Sequence, residues 1–152
     1  MTPAVYRIET AHTDSGDIPA WDTYPAKYEF FMPLTAKKAG LLLRSLEFRV
    51  KGYMPGKMRT VLRKYGTTTA LADKSIDLVR GYNDVVLDMG SIALEKGVEY
   101  QLYFAASNNF YPPSVQPSWV AANDCIDIAH GSAYYGDDTT LIFSGTVVLQ
   151  ET

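Results

Sequence analysis

Cysteine and histidine are the side chains that most often act as nucleophiles, general bases or metal ligands, and this sequence has only Cys125, His12 and His130. His130 follows Cys125 closely, and a thiolate beside an imidazole can serve as nucleophile and base. A lone cysteine in an apolar strand usually packs as a small hydrophobic residue, and sequence spacing does not orient the pair. We therefore predict that the chain has no catalytic residue and is not an enzyme.

Acidic pairs are the next groups that could do chemistry, at Asp14 with Asp17 and at Asp137 with Asp138. Such pairs can bind calcium or hydrolyse glycosides, but neither has the full spacing of a calcium loop. Asp is also common in turns, where its side chain accepts hydrogen bonds from nearby amides. The GxxxxGK[ST], GxGxxG, GxSxG and HExxH motifs of phosphate loops, nucleophile elbows and zinc helices do not occur. We predict no metal and no cofactor.

Aromatic residues are abundant, with eleven tyrosines and two tryptophans, and several fall outside the apolar alternation. Their rings can stack on the apolar faces of sugars, while neighbouring amides bind hydroxyls. Tyr and Trp equally anchor protein interfaces, and they can also close the ends of a core. These three alternatives remain open for a candidate set of glycan or protein contacts: Asn108, Phe110, Tyr111, Trp119, Tyr134 and Tyr135.

Basic residues are concentrated between Lys37 and Lys64, where nine bases stand against one acid, Glu47. This gives a local balance of +8, so the rest of the chain carries −11 within a total of −3. Cross-strand ion pairs, complementary faces of identical subunits and phosphate contacts would each explain it. A pI of 5.3 argues against nucleic acid as a partner. The candidate interface residues are Arg49, Lys51, Lys57, Arg59 and Arg63.

The elements that would position these groups are strands, because period-two alternation dominates. It is clearest over residues 98–106, where Tyr100, Leu102 and Phe104 share one face. Nine or ten short strands with Gly, Pro, Asn and Asp between them predict an all-β, antiparallel, jelly-roll-like β-sandwich. An immunoglobulin-like sandwich is the alternative, although its Cys…Trp…Cys pattern is absent.

Local signals predict how some of these strands connect. The Pro-Gly loop at 52–57 predicts that strands 42–51 and 58–65 form a hairpin, with Leu43 on the outer face. Residues 69–79 predict one or two helical turns at most. Residues 1–27 are expected to form a first strand and a polar arm or connection, and residues 28–152 the sandwich, within a single domain.

Two further expectations concern targeting. No apolar run approaches the roughly 18 residues that would cross a bilayer. The apolar stretch at the start of the sequence is short and is bracketed by Arg7 and Glu9, so no signal peptide is predicted. We expect no association with a membrane.

Five segments in order carry a resemblance to known proteins: PLTA at 33–36, AGL at 39–41, LEFRV at 46–50, YNDVVL at 82–87 and LEKGVEYQL at 94–102. Over about residues 33–106 the chain resembles jelly-roll modules of phage virion proteins and of bacterial surface or carbohydrate-binding proteins. The resemblance implies a virion structural protein of the capsid-decoration, head-fibre or tail-tip type, assembled in the host cytoplasm. Its implied partners are further copies of itself, commonly as a homotrimer, and other virion proteins or a surface glycan. A carbohydrate-binding module that uses the loop aromatics is the alternative.

Overall fold

The computed structural model describes residues 2–12, 29–52, 54–107, 110–111, 114–115, 119–120, 123–128, 132–134, 142–143 and 145–152. Every regular secondary-structure element in these ranges is a β-strand. They are β1 (Val5–Glu9), β2 (Ala11–His12), β3 (Glu29–Ala36), β4 (Leu41–Gly52), β5 (Gly56–Lys64), β6 (Ala72–Leu78), β7 (Gly81–Leu94), β8 (Glu99–Ala106), β9 (Phe110–Tyr111), β10 (Ser114–Val115), β11 (Trp119–Val120), β12 (Ile126–Ile128), β13 (Ser132–Tyr134), β14 (Ile142–Phe143) and β15 (Thr146–Glu151).

Eight long strands form two antiparallel sheets. The first sheet has the order β1-β15-β4-β7, and the second contains β3-β8-β5-β6. If only these eight strands are numbered, from 1 to 8 in chain order, the first sheet has the order 1-8-3-6 and the second has the order 2-7-4-5. This is the order that results when a long antiparallel ribbon wraps twice around one core, which defines a jelly roll. The predicted fold class is confirmed.

The core fills the space between the two sheets. Tyr100, Leu102 and Phe104 alternate along β8 and are buried, as the period-two pattern predicts. From the other sheet, the ring of Phe48 meets that of Phe104 edge to face, with centroids 5.7 Å apart. Each fully buried side chain of this kind contributes about 1.5–3 kcal/mol. The interior is therefore a packed apolar layer.

An irregularity in β4 changes which leucine is buried. Against β15 the register passes from Leu43 to Ser45, so Arg44 is an extra residue, and β7 is irregular at the same point. The extra residue reverses the alternation, because each step along a strand moves a side chain to the opposite face. Leu43 is consequently 0% exposed. The prediction that Leu43 lies on the outer face is wrong.

The predicted hairpin is also wrong. β4 pairs with β15, β7 and β9, whereas β5 pairs with β6 and β8. The connection that contains the Pro-Gly pair leads from one sheet to the other and does not close a hairpin. The basic residues of 37–64 are thereby divided between two outer faces.

The segment expected to hold helical turns forms strand β6 instead. Ala72, Ile76 and Leu78 are at least half-buried, whereas Asp73 and Asp77 are exposed. This alternation pairs β6 with β5 along its full length. In this strand Ile76 packs against the core and Leu78 is buried.

Six short strands are described in the segment between β8 and β15. β9 extends the first sheet beside β4, and β12 and β13 extend the second beside β3. β10 pairs with β14, and β11 pairs with β2. The arm predicted within residues 1–27 lies mostly outside the described residues, and β1 itself is a strand of the first sheet next to β15.

Candidate functional site

The five candidate interface residues lie on opposite surfaces of the sandwich. Arg49 and Lys51 project from β4 on the outer face of the first sheet. Lys57, Arg59 and Arg63 alternate along β5 on the outer face of the second sheet, because Met58, Thr60 and Leu62 between them are buried. The structure therefore does not gather the five residues into one patch.

Most of these bases meet an acid on the neighbouring strand. Arg49 Nε lies 2.8 Å from Asp84 Oδ1, and Lys57 Nζ lies 2.9 Å from Asp77 Oδ1. Hydrogen bonds from Arg49 lower the pKa of the Asp84 carboxyl below its ordinary value. These exposed pairs fix side-chain positions more than they add stability. The segregation of charge along the sequence becomes local pairing in the folded chain.

Arg59 makes the most specific of these pairs. Its Nε and Nη2 donate to both oxygens of Asp73, at 2.9 and 2.7 Å. Such a two-point contact fixes the plane of the guanidinium. The same hydrogen bonds lower the pKa of Asp73 and raise that of Arg59. The Arg59 side chain is thus oriented by Asp73 on the outer face of the second sheet.

A groove of about 280 Å³ lies beside Arg59. Its floor is formed by Phe31 of β3, Tyr103 of β8 and Val61 of β5, which lie side by side across three neighbouring strands. The rings of Phe31 and Tyr103 are tilted, with centroids 5.3 Å apart. The guanidinium carbon of Arg63 lies 5.6 Å from the centre of the Phe31 ring. We call this feature the outer groove.

The loop after β5 forms one wall of the outer groove through Thr68 and Ala70. The loop is attached at both ends. Thr67 donates through its amide and its hydroxyl to the carbonyl of Lys64, and the Leu71 amide donates to the carbonyl of Leu62 at 2.7 Å. Gly66, between Lys64 and Thr67, has φ +80°, a conformation that favours glycine. The wall is therefore held in place by the backbone.

The outer face of the first sheet carries a different surface. Tyr82 of β7 is half exposed, and its ring lies 5.2 Å from the Arg49 guanidinium and 5.3 Å from Lys51 Nζ. Val86, further along β7, is 74% exposed. β7 is the last strand of its sheet in the described part of the chain. We call this combination of the exposed Val86, Tyr82 and the two basic side chains beside its ring the β7 face.

A third cluster joins the two ends of the chain. Tyr6 Oη donates to Glu151 Oε1 at 2.5 Å, and Lys38 Nζ lies 3.1 Å from the same oxygen. Lys38 Nζ is also 4.5 Å from the centre of the Tyr6 ring. The hydrogen bonds from Tyr6 and Lys38 lower the pKa of Glu151, and the bond to Glu151 raises the pKa of both partners. The cluster connects β1, β15 and the loop before β4.

The predicted aromatic contacts are only partly described. Phe110 and Tyr111 pair with Gly52 and Lys51 at the end of β4, Trp119 pairs with His12, and Tyr134 pairs with Glu29. These positions are given by the backbone, and Asn108 and Tyr135 lie outside the described residues. His130 and the acidic pairs at 14, 17, 137 and 138 also lie outside them. The expectation that these residues contact a glycan or another protein remains a prediction.

Cys125 is 3% exposed and packs with Ile126 in the core, as predicted. Within the ranges that the structure describes, no three His, Cys, Asp or Glu side chains converge on a common point that would hold a metal ion. Those ranges also contain no helix with the length and apolar character required to cross a bilayer.

Sequence reasoning did not identify the outer groove. Its one signal is Tyr103, an aromatic residue on the otherwise polar face of the 98–106 alternation. Phe31 and Arg63 join it only through the pairing of β3 and β5 with β8. That pairing is a long-range property that local spacing does not encode.

Neither a protein-family model nor a curated protein matches this sequence. Among solved structures, the chain is similar to a chain in the structure of infectious bursal disease virus, Gx strain, with a TM-score of 0.44 and 14% sequence identity. The alignment covers 99% of this chain and 33% of the viral chain, so this chain spans about a third of the length of that protein.

Proposed function

We propose that this protein is a non-enzymatic structural component of a virus particle that associates with further copies of itself. A capsid-decoration, head-fibre or tail-tip protein of a phage, assembled in the host cytoplasm, is the specific form of the proposal. The observation that carries it is the jelly-roll strand order around a filled core. This architecture recurs in viral capsid and lectin domains.

The filled interior favours binding through the outer surfaces of the protein over binding inside the sandwich. Phe30, Tyr100 and Phe104 occupy the space between the sheets, where some jelly rolls enclose a ligand cavity. The surfaces left for contact in the described part of the chain are the outer faces of the sheets and the ends of the strands. A structural protein uses such surfaces to bind its neighbours.

The β7 face supports self-association in particular. Val86 and Tyr82 are large apolar groups in a setting of charged residues, the composition typical of the centre and rim of an interface. An edge strand also offers backbone groups for pairing with another chain. β7 is 14 residues long, so the available edge is extensive.

Sedimentation equilibrium at micromolar concentration tests the proposal. We expect a stable oligomer, and Val86→Lys should shift it toward monomer because a charge would be buried at the contact. Val5→Lys is the matched control, since Val5 is a 57% exposed valine on the opposite edge strand of the same sheet. A monomeric wild-type protein would contradict self-association, whereas an oligomer insensitive to Val86→Lys would contradict only the β7 face.

The virion role is tested by the neighbouring genes. Capsid or tail genes on either side are expected. Genes for polysaccharide degradation on both sides would contradict the virion role and favour a carbohydrate-binding module.

A further inference from the structure

We propose that the outer groove is a binding site for a sugar that carries a carboxylate, such as a sialic or uronic acid. The proposal does not depend on self-association, because the groove lies on the second sheet and the β7 face belongs to the first. Its components are an aromatic floor, a guanidinium above one ring and a hydroxyl in the wall.

The charge of the groove favours a single carboxylate. Both oxygens of Asp73 are engaged with Arg59, so the charge of that arginine is balanced. Arg63 has no carboxylate within 4 Å among the residues that the structure describes, and it contacts the Phe31 ring instead. Within the described part of the chain, the groove therefore has one positive charge, on Arg63, that no carboxylate balances. A guanidinium binds a carboxylate through two parallel hydrogen bonds.

The floor distinguishes a sugar acid from a simple anion. Phe31, Tyr103 and Val61 form an apolar surface that an inorganic anion would leave uncovered. The C–H face of a sugar ring can pack on such a surface, and the Thr68 hydroxyl in the wall can donate to or accept from sugar hydroxyls. A volume of about 280 Å³ is at the lower limit of ligand pockets and suits one ring.

The fixed wall favours binding without rearrangement. The backbone bonds of Thr67 and Leu71 attach the loop on both sides of Thr68 and Ala70, and Asp73 holds Arg59 in place. A site that is already ordered loses less conformational entropy when a ligand binds. We therefore expect measurable affinity for a single sugar unit.

Titration of the folded protein, followed by NMR, tests the site. The probes are the methyl glycoside of N-acetylneuraminic acid, methyl glucuronide, neutral methyl glucoside and acetate. We expect both acidic sugars to bind in the millimolar range and to shift the resonances of Phe31 and Tyr103. The neutral sugar and acetate should bind about tenfold more weakly, because each lacks one of the two contacts.

Two variants and one matched control locate the contacts. Arg63→Gln should weaken binding of the acidic sugars about tenfold or more, since it removes a charge-assisted pair. Arg80→Gln is the matched control: it removes the same charge from an exposed position near the far end of β6 and should leave affinity unchanged. Ala70→Glu places a carboxylate in the wall at an exposed loop position and should abolish binding while the fold is retained.

Several outcomes would overturn the proposal. Equal binding of acidic and neutral sugars would remove the role of Arg63, and equal binding of acetate would reduce the groove to an anion site. Equal losses in Arg63→Gln and Arg80→Gln would indicate a net-charge effect. Chemical shifts in the groove that depend on protein concentration alone, without sugar binding, would assign it to contact with another copy.

Discussion

At the scale of single residues, the sequence indicates which side chains are charged but not what they contact. Arg59 was a candidate interface residue, and in the structure its guanidinium is engaged by Asp73 on the adjacent strand. Arg63, four positions further along β5, faces an aromatic ring instead. The difference arises from the strands next to each residue, so the basic character of the segment could not distinguish them.

The cluster of Tyr6, Lys38 and Glu151 shows how three such residues depend on one another. Glu151 is the acceptor for both partners, and its carboxylate is the largest cause of the raised pKa values of Tyr6 and Lys38. Its own pKa is lowered chiefly by the hydrogen bond from Tyr6 and then by that from Lys38. Removing the charge of Glu151 therefore removes the largest cause of the raised pKa of each of these two partners.

This coupling predicts a pH dependence with two limits. A lowered pKa of Glu151 in the folded state adds stability above its unfolded pKa, about 4, and that stability is lost as the pH falls through the lower folded value. Raised pKa values of Tyr6 and Lys38 add stability below about 10, and it is lost as the pH rises through the higher folded values. The cluster is thus most stabilising between these limits.

The variant Glu151→Gln tests this dependence, because glutamine keeps the shape and an acceptor oxygen. The difference in Tm between wild type and variant should be largest near neutral pH and should shrink in both acid and alkali. Thermal unfolding followed by circular dichroism at a series of pH values measures it. A difference that stays constant between about pH 3 and pH 11 would show that Glu151 acts by packing alone.

At the scale of strands, alternation was sufficient to predict element type but not register. Strand β8 follows its predicted pattern because nothing interrupts the period of two. Strand β4 does not, because Arg44 is an extra residue whose side chain donates to Ser91 on β7. The opposing segment of β7 turns at Gly90, which has φ +73° and donates its amide to Asp88. A bulge of this kind depends on both strands together, so one strand's sequence does not reveal it.

The register of β4 makes a direct prediction about two adjacent leucines. Leu43→Ala should destabilise the protein by about 2–5 kcal/mol, because it leaves a cavity in the core. Leu42→Ala should cost only about 1 kcal/mol, because Leu42 is half-buried on the opposite face. Urea unfolding midpoints at constant m-value give the comparison. A larger loss of stability in Leu42→Ala than in Leu43→Ala would contradict the bulge, because it would mean that Leu42 and not Leu43 faces the core.

The connection between β4 and β5 is a second feature whose strand pairing the local sequence does not determine. A Pro-Gly loop indicates that the chain turns, but it does not determine whether the next strand pairs with the last one. Here β4 lies between β7 and β15, so both of its edges are occupied over much of its length. β5 therefore joins β8 in the other sheet. Partners far away in sequence decide the outcome.

At the scale of the whole molecule, the fold class was predictable because both sheets bury one face and leave a visible alternation. The strand order was not derivable from alternation, since it depends on which distant strands meet. The outer groove shares this property, as its floor comes from three strands that are separate in sequence. The most distant pairing, β1 with β15, connects the two ends of the chain, and Tyr6 and Glu151 in it are separated by 145 positions.

That topology predicts how the protein folds. Because the core is shared by both sheets, unfolding should be one cooperative transition, and amides in β8 and β15 should exchange with the same free energy. Since the strand pairs are mostly distant in sequence, refolding should take milliseconds to seconds rather than microseconds. Stopped-flow refolding and native-state hydrogen exchange measure the two quantities. Exchange from β15 through a separate, lower-energy opening would show that the first sheet closes independently, and the two sheets would then not form a single cooperative unit.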